Sequence, residues 1–291
     1  DNALLLGIFR LMKQTVPNFL QSGDTIGISA TARFATAESL AIAERTISAE
    51  GFNCYYSPEI SMQHHQLAGT VAERVQHFNA LIHNPNIKAI WNIRGGYGSA
   101  EIVDLVDWDA LIAQPKWLIG FSDFTTFLCH GVQKGIATLH APMPISFSTT
   151  HPDALTATFD VLRGKEDALH CVLPKNISGQ IIAGNLSVIS SILGTPSLPS
   201  LDDCVLIIED LDEYHYHLDR MLLALRRRGA FNKLRAVVLG EFTDIHDHDI
   251  PWGDAIGQTL KKHFEAESVP VFTHPIISHG KENWPIILQS T

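Results

Sequence analysis

The sequence predicts an α/β fold, with a parallel sheet in an N-terminal domain and a smaller mixed α/β domain after it. Three observations predict it. Short apolar runs of strand length alternate with amphipathic stretches of helix length, the pattern of βαβ units. The chain has 291 residues, 45% hydrophobic and 18% charged, which is enough apolar material for two cores and too little charge for disorder. The alternation breaks once, where Thr149-Thr150-His151-Pro152 and Pro174-Lys175-Asn176-Ile177-Ser178-Gly179 are polar and rich in turn formers. Residues 151–179 therefore read as a linker between a domain over 23–150 and another over 180–291, with residues 1–22 an N-terminal extension.

Ile26 to Ala30 is the first strand, and a helix runs from Thr36, whose hydroxyl suits an N-cap, to Glu50, closed by Gly51. Cys54-Tyr55-Tyr56 is a second strand. Val71 to His83 is a helix with Val75, Phe78, Leu81 and Ile82 on one face, and Ala89 to Asn92 is a third strand. Strands joined through helices are parallel with right-handed crossovers, and such sheets bind ligands at the carboxyl ends of their strands. The third strand runs into Ile93-Arg94-Gly95-Gly96-Tyr97-Gly98-Ser99, whose glycines leave backbone N–H groups unshielded. It reads as a ligand loop or a simple turn. The spacings of phosphate loops, Gly-x-Gly-x-x-Gly and Gly-Lys-Ser/Thr, are missing.

The fourth strand, Leu118-Ile119-Gly120, passes through Phe121 into Ser122-Asp123 and directly into a helix. A serine on such a turn stands beside the free N–H groups of the helix, either as an N-cap or as a nucleophile. The second glycine of a Gly-x-Ser-x-Gly elbow is absent here. In the second domain Ile181 to Asn185 is a strand, Leu186 to Leu193 a helix, and Cys204 to Asp210 a buried strand ending in Glu209 and Asp210. Neighbours on a strand point to opposite faces, so one of the two carboxylates faces the cleft, and a buried carboxylate needs a partner. Asp219 to Leu225 starts a helix, Ala236 to Gly240 and Val271-Phe272 are strands, and His279 sits in the tight loop Ser278-His279-Gly280 as a candidate base.

The net charge is −10 and the longest basic run is Arg226-Arg227-Arg228, which excludes a nucleic-acid or anionic-membrane surface. No segment approaches the roughly 20 apolar residues of a membrane span. Ala3 to Phe9 lacks a basic flank and a cleavage site and reads as a peripheral helix or leftover leader, which points to a cytoplasmic protein. Four cysteines without Cys-x-x-Cys spacing read as reduced core residues, and no cofactor is indicated. His246-Asp247-His248-Asp249 alternates in a loop, which seldom converges on one metal, so no metal is assigned; His64-His65 and His215-Tyr216-His217 read as solvated.

In order and spacing the chain resembles the serine LD-carboxypeptidases, the family that includes the microcin C self-immunity peptidases. The resemblance spans Pro17 to Leu288 and rests on Gly23-Asp24-Thr25-Ile26-Gly27-Ile28, Leu67-Ala68-Gly69-Thr70 with Glu73-Arg74, Arg94-Gly95-Gly96-Tyr97-Gly98 and Gly120-Phe121-Ser122-Asp123. It continues through Gly184-Asn185-Leu186-Ser187, Leu193-Gly194-Thr195-Pro196, Glu209-Asp210 with Asp219-Arg220-Met221-Leu222, and His279. It implies a first domain like those of flavodoxins or glutamine amidotransferases and a barrel-like sheet in the second. It implies Ser122 as nucleophile, Glu209 and His279 as its partners, and a Ser-Glu-His order. Gly96 and Asp123 are the expected oxyanion donors, and Arg94, Gly95 and Tyr97 the expected substrate contacts, with Arg94 equally readable as a structural ion pair.

The implied substrate is a murein tetrapeptide losing its terminal D-alanine during cell-wall recycling, with a homodimer suggested by resemblance alone. The alternatives are an immunity-type peptidase acting on an aminoacyl-nucleotide conjugate, and a binding protein holding a small anion. The family's Ala-Pro after the first strand is Ala30-Thr31 here, and its glycine before the histidine is Ser278. The chain stops soon after Trp284-Pro285-Ile286-Ile287-Leu288, which reads as short of a last strand and as an incomplete C-terminus.

Overall fold

A computed structural model describes residues 14–167, 169 and 172–290; the Ala3 to Phe9 run and Cys171 lie outside the described residues. The first half builds β1 (Thr25–Ser29), α1 (Ala37–Ala49), β2 (Asn53–Tyr55), α2 (Val71–His83), β3 (Ile87–Asn92), α3 (Ser99–Ile102), α4 (Trp108–Ala113), β4 (Trp117–Gly120), α5 (Thr125–Gln133), β5 (Thr138–His140) and α6 (Pro152–Leu162). Both long N-terminal helices begin with capping boxes. Thr36 and Ser39 exchange side-chain and backbone bonds at α1, as Thr70 and Glu73 do at α2, and each box satisfies N–H groups that the helix leaves unpaired. β1 pairs in parallel with β2 and β3, β3 with β4, and β4 with β5. The strands read as apolar runs because helices cover both faces; in β3 all residues but Lys88 are buried.

The second half adds β6 (Gln180–Asn185), α7 (Leu186–Ser191), β7 (Cys204–Leu211), α8 (His215–Arg227), β8 (Ala236–Thr243), α9 (Ile256–Glu265) and β9 (Val271–Thr273). Its sheet runs β6-β7-β8-β9 with every pairing parallel. The order is open and closes no barrel among the described residues. β10 (Ile286–Leu288) then returns to the first sheet antiparallel to β5. One residue further on, Gln289 bridges Ile181 of β6 and ties the two sheets together. The main apolar cluster likewise runs through both halves, from Phe78, Leu118 and Phe127 to Ile182, Ile207 and Leu222.

Two local expectations are corrected. α8 begins at His215, a turn earlier than Asp219, and His215 is buried rather than solvated, with its Nε2 2.8 Å from Thr259 Oγ1. Polar aromatic residues at the start of a helix look like a loop until the facing helix supplies a partner. The core reading holds for Cys129 and Cys204, which are buried and unpaired; Cys54 is unpaired and half-buried.

Candidate active site

Ser122 sits where β4 turns into α5, with a φ of +60°, a left-handed conformation that a non-glycine residue adopts at a cost of about 1–3 kcal/mol. A Cβ at Gly120 would lie 2.7 Å from Phe124 Cδ1, so only glycine lets the strand end turn over that ring. Phe124 stands where the second glycine of the usual elbow would be. Ser122 caps no helix. Its Oγ is 2.9 Å from His279 Nε2.

His279 reaches Ser122 from the second half of the chain, and its Nδ1 is 2.7 Å from Glu209 Oε2. The carboxylate on Nδ1 assigns the proton to that nitrogen and leaves Nε2 to accept the serine proton. Burial alone pulls the His279 pKa down, but the hydrogen bond and charge of Glu209, helped by the charge of Asp210, outweigh it and hold the pKa above the ordinary histidine value. Glu209 is fully buried at the end of β7, and Asn185 Nδ2 lies 3.3 Å from its other oxygen. Asp210 points away from His279, accepting bonds from Asn185 Nδ2 at 2.8 Å and from the Ser187 and Leu211 amides at 2.9 Å. Burial, then repulsion from Glu209, pushes its pKa up to about 7 against those bonds.

A bulge positions the histidine loop. The β7–β8 register steps from Ile208 opposite Leu239 to Asp210 opposite Phe242, so Gly240 and Glu241 together face Glu209. The Glu241 amide donates to the Ile277 carbonyl at 3.1 Å, and a Cβ on Gly240 would lie 2.5 Å from that oxygen. Ser278, which departs from the family's glycine, is fully buried; its hydroxyl donates to the Glu282 carbonyl at 2.8 Å and accepts from the Gly280 amide at 3.0 Å. The loop is thus tied on both sides of His279.

The Gly-rich loop closes the other wall. A Cβ at Gly95 would lie 2.9 Å from Ser122 Oγ, so the loop backbone lies directly against the serine. Gly96 has a φ of +124°, and its N–H has no acceptor among the described residues. Beneath the loop, Arg74 donates to the carbonyls of Thr31 (2.8 Å) and Gly98 (2.9 Å), and Asp123 accepts the Ser99 amide at 2.9 Å. Burial raises the Asp123 pKa despite those amide bonds and the nearby Arg74 charge. Asn92 accepts from Thr31 and donates to the Arg94 carbonyl at 2.7 Å, so the Thr31 departure from proline supplies a donor that a proline lacks.

These walls enclose a cleft of about 560 Å³ lined by Arg33, Arg94, Gly95, Ser122, Asp212 and His279, among others. Arg94 has no carboxylate partner among the described residues, so it is not the structural ion pair that the sequence left open. Its pKa is lowered by burial and by the neighbouring charge of Arg33. Tyr97 is 63% exposed and lies outside the cleft lining. Sequence reasoning gave no role to Arg33 or Asn185; Asn185 had the signal of its place at the carboxyl end of β6, whereas Arg33, in the loop after β1, had none. His246 and His248 do not converge: His246 Nε2 pairs with Asp212 Oδ1 at 2.7 Å, and His248 stacks on Tyr214. No group of three or more metal-ligating side chains is found among the described residues.

A serine hydroxyl, an imidazole and a carboxylate hydrogen-bonded in series at the strand ends of a two-sheet α/β protein form the arrangement of a serine hydrolase. Residues 26–141 match the LD-carboxypeptidase N-terminal domain and residues 178–291 the LD-carboxypeptidase C-terminal domain. The chain belongs to the serine LD-carboxypeptidase family and is a serine peptidase. It is 28% identical to the murein tetrapeptide carboxypeptidase of Pseudomonas aeruginosa, over 83% of this chain and 84% of that one. It is 27% identical to the microcin C7 self-immunity protein MccF of Escherichia coli, over 76% of each. Its fold is that of MccF in complex with glutamyl sulfamoyl guanosine (TM-score 0.82, 24% identity, covering 95% of this chain and 94% of that chain). It is also that of the muramoyltetrapeptide carboxypeptidase from Oxalobacter formigenes (TM-score 0.80, 24% identity, covering 91% and 92%). No helix among the described residues is long and apolar enough to cross a membrane.

Proposed function

We propose that this protein hydrolyses the L,D-peptide bond of murein tetrapeptides, releasing terminal D-alanine in the cytoplasm during cell-wall recycling, and that it does so as a homodimer. The observation that carries the reading is His279, held at 2.7 Å by Glu209 and 2.9 Å from the Ser122 hydroxyl. In this reading Ser122 Oγ attacks the carbonyl carbon at the L-centre and gives its proton to His279 Nε2. Glu209 holds the tautomer and stabilises the imidazolium. The Gly96 and Asp123 amides receive the oxyanion, each such donor contributing on the order of 3 kcal/mol. Collapse breaks the C–N bond, His279 protonates the departing D-alanine amine, and a water activated by the same imidazole hydrolyses the acyl-enzyme. Arg94, with Gly95, binds the terminal carboxylate; Tyr97, outside the cleft lining, takes no part in it.

D-Alanine release from a murein tetrapeptide tests this. Ser122→Ala is expected to lower turnover by at least about 10³-fold with the melting temperature preserved, and a variant that retains turnover removes the mechanism. An aminoacyl sulfamoyl nucleoside, run in parallel, decides against the immunity-type reading unless it alone is cleaved. Fluorophosphonate labelling at Ser122, lost in His279→Ala, decides against a non-catalytic binder.

A further inference from the structure

We propose that Arg33 reads a second substrate carboxylate, carried by the side chain of the residue on the acyl side of the scissile bond; this rests on the peptidase reading above, in which Arg94 takes the terminal carboxylate. Two guanidinium groups share one cleft with Ser122 and His279, and neither has a carboxylate partner among the described residues. Asp212, the acid on the same lining, is engaged by His246 at 2.7 Å. Two like charges in a partly desolvated cleft repel each other, and each attracts an anion. A ligand with one carboxylate leaves one cation over. A ligand with two satisfies both.

Arg33 is built into this place. Its backbone bridges Leu67, and the Ala68 amide donates to the Ala32 carbonyl beside it at 2.9 Å. Its stem crosses the Gly-rich loop so closely that a Cβ on Gly96 would lie 2.7 Å from Arg33 Cγ and 2.9 Å from Cδ. The absence of a side chain at Gly96 therefore both bares the backbone and gives Arg33 its path into the cleft. The backbone is fixed while the guanidinium stays unpaired, which is the arrangement of a group preorganised for a ligand rather than for the fold. Among murein tetrapeptides, one with meso-diaminopimelate as its third residue carries at the end of that side chain a carboxylate beyond those of its terminus and its γ-linked D-glutamate. One with lysine there carries only an amine.

Three tetrapeptides test the assignment: one with diaminopimelate, one with lysine, and the diaminopimelate peptide with its C-terminus amidated. The wild type is expected to prefer diaminopimelate over lysine by about tenfold or more in kcat/KM, the worth of one charge-assisted hydrogen-bonded pair. Arg33→Ala is expected to erase that preference by slowing the diaminopimelate peptide alone, while still rejecting the amide. Arg33→Lys is expected to restore part of it, since an ammonium supplies charge without the two-pronged fork. Arg33 is exposed, so the melting temperature is expected to stay put. A wild type without preference, or an Arg33→Ala variant that slows both acids equally, overturns the inference and leaves the peptidase reading standing. A wild type that cleaves none of the three overturns the peptidase reading and this inference with it.

Discussion

At the scale of single residues, the proton on His279 is set by a contest between burial and Glu209, and that contest can be reversed. Burial lowers the histidine pKa, while the Glu209 bond and charge raise it past the ordinary value. The general base must be neutral, so the acid limb of kcat/KM is expected to lie above pH 6.5, with activity rising as pH passes through it. In Glu209→Gln only the downward pull of burial and the weaker help of Asp210 remain. The limb is then expected to move to lower pH while the plateau falls by on the order of 10⁴-fold, because the amide no longer fixes the tautomer. A pH profile of both enzymes checks this, and a limb that stays in place means Glu209 does not govern the imidazole. Ser122 and His279 were legible in the sequence as candidates because each sits at a strand end or in a tight loop. The strand end left Glu209 and Asp210 open, and only the family resemblance singled out Glu209. Arg33 was not legible, since a lone arginine after a strand looks the same whether its head meets a carboxylate or an open cleft.

At the scale of elements, the long helices and central strands were legible because local signals agree there: α2 has its capping box, its stripe of Val75, Phe78, Leu81 and Ile82, and no breaker. The short α3 and α4 carry too few residues for a period. The β8 bulge escaped because it is a relation between two strands, visible only when Ile208 and Asp210 are matched to Leu239 and Phe242. Gly240→Ala tests its importance. The new Cβ would press on two backbone oxygens, Ile277 O at 2.5 Å and Ile208 O at 3.2 Å, and backbone cannot swing aside as a flexible side chain can. The His279 loop is expected to shift, costing about 100-fold in kcat/KM, since displacements of an ångström in a reacting group have that effect. Overpacking of this kind also destabilises by about 1–3 kcal/mol, which thermal unfolding will show as a fall of several degrees. Unchanged kinetics with an unchanged melting temperature would mean the bulge does not position the loop.

At the scale of the molecule, the parallel character of both sheets follows from the βαβ rhythm, but what joins them is not written in any local window. The joint is made of contacts distant in sequence. Phe78, Leu118 and Phe127 share one apolar cluster with Ile182, Ile207 and Leu222, and Gln289 stitches β10 to β6. At the closest approach, Gly184 of β6 lies under Thr125 at the start of α5, where a Cβ would come within 2.3 Å of Thr125 Cγ2, and the Asn185 amide donates to Thr125 Oγ1 at 3.2 Å. This contact matters for chemistry because Thr125 follows Ser122 by three residues, while Asn185 bonds the carboxylates of β7. A shared core of this kind makes the two halves unfold together, so calorimetry of the wild type is expected to give a single transition with matching calorimetric and van't Hoff enthalpies. Gly184→Ala should lower the temperature of that transition and reduce kcat/KM together. Adding Thr125→Ala, which removes the two nearest atoms, should restore part of both losses, a non-additive pair as expected for residues in direct contact. Two resolved transitions in the wild type, or strictly additive losses in the double variant, would show that the serine and histidine halves are held together by something other than this joint.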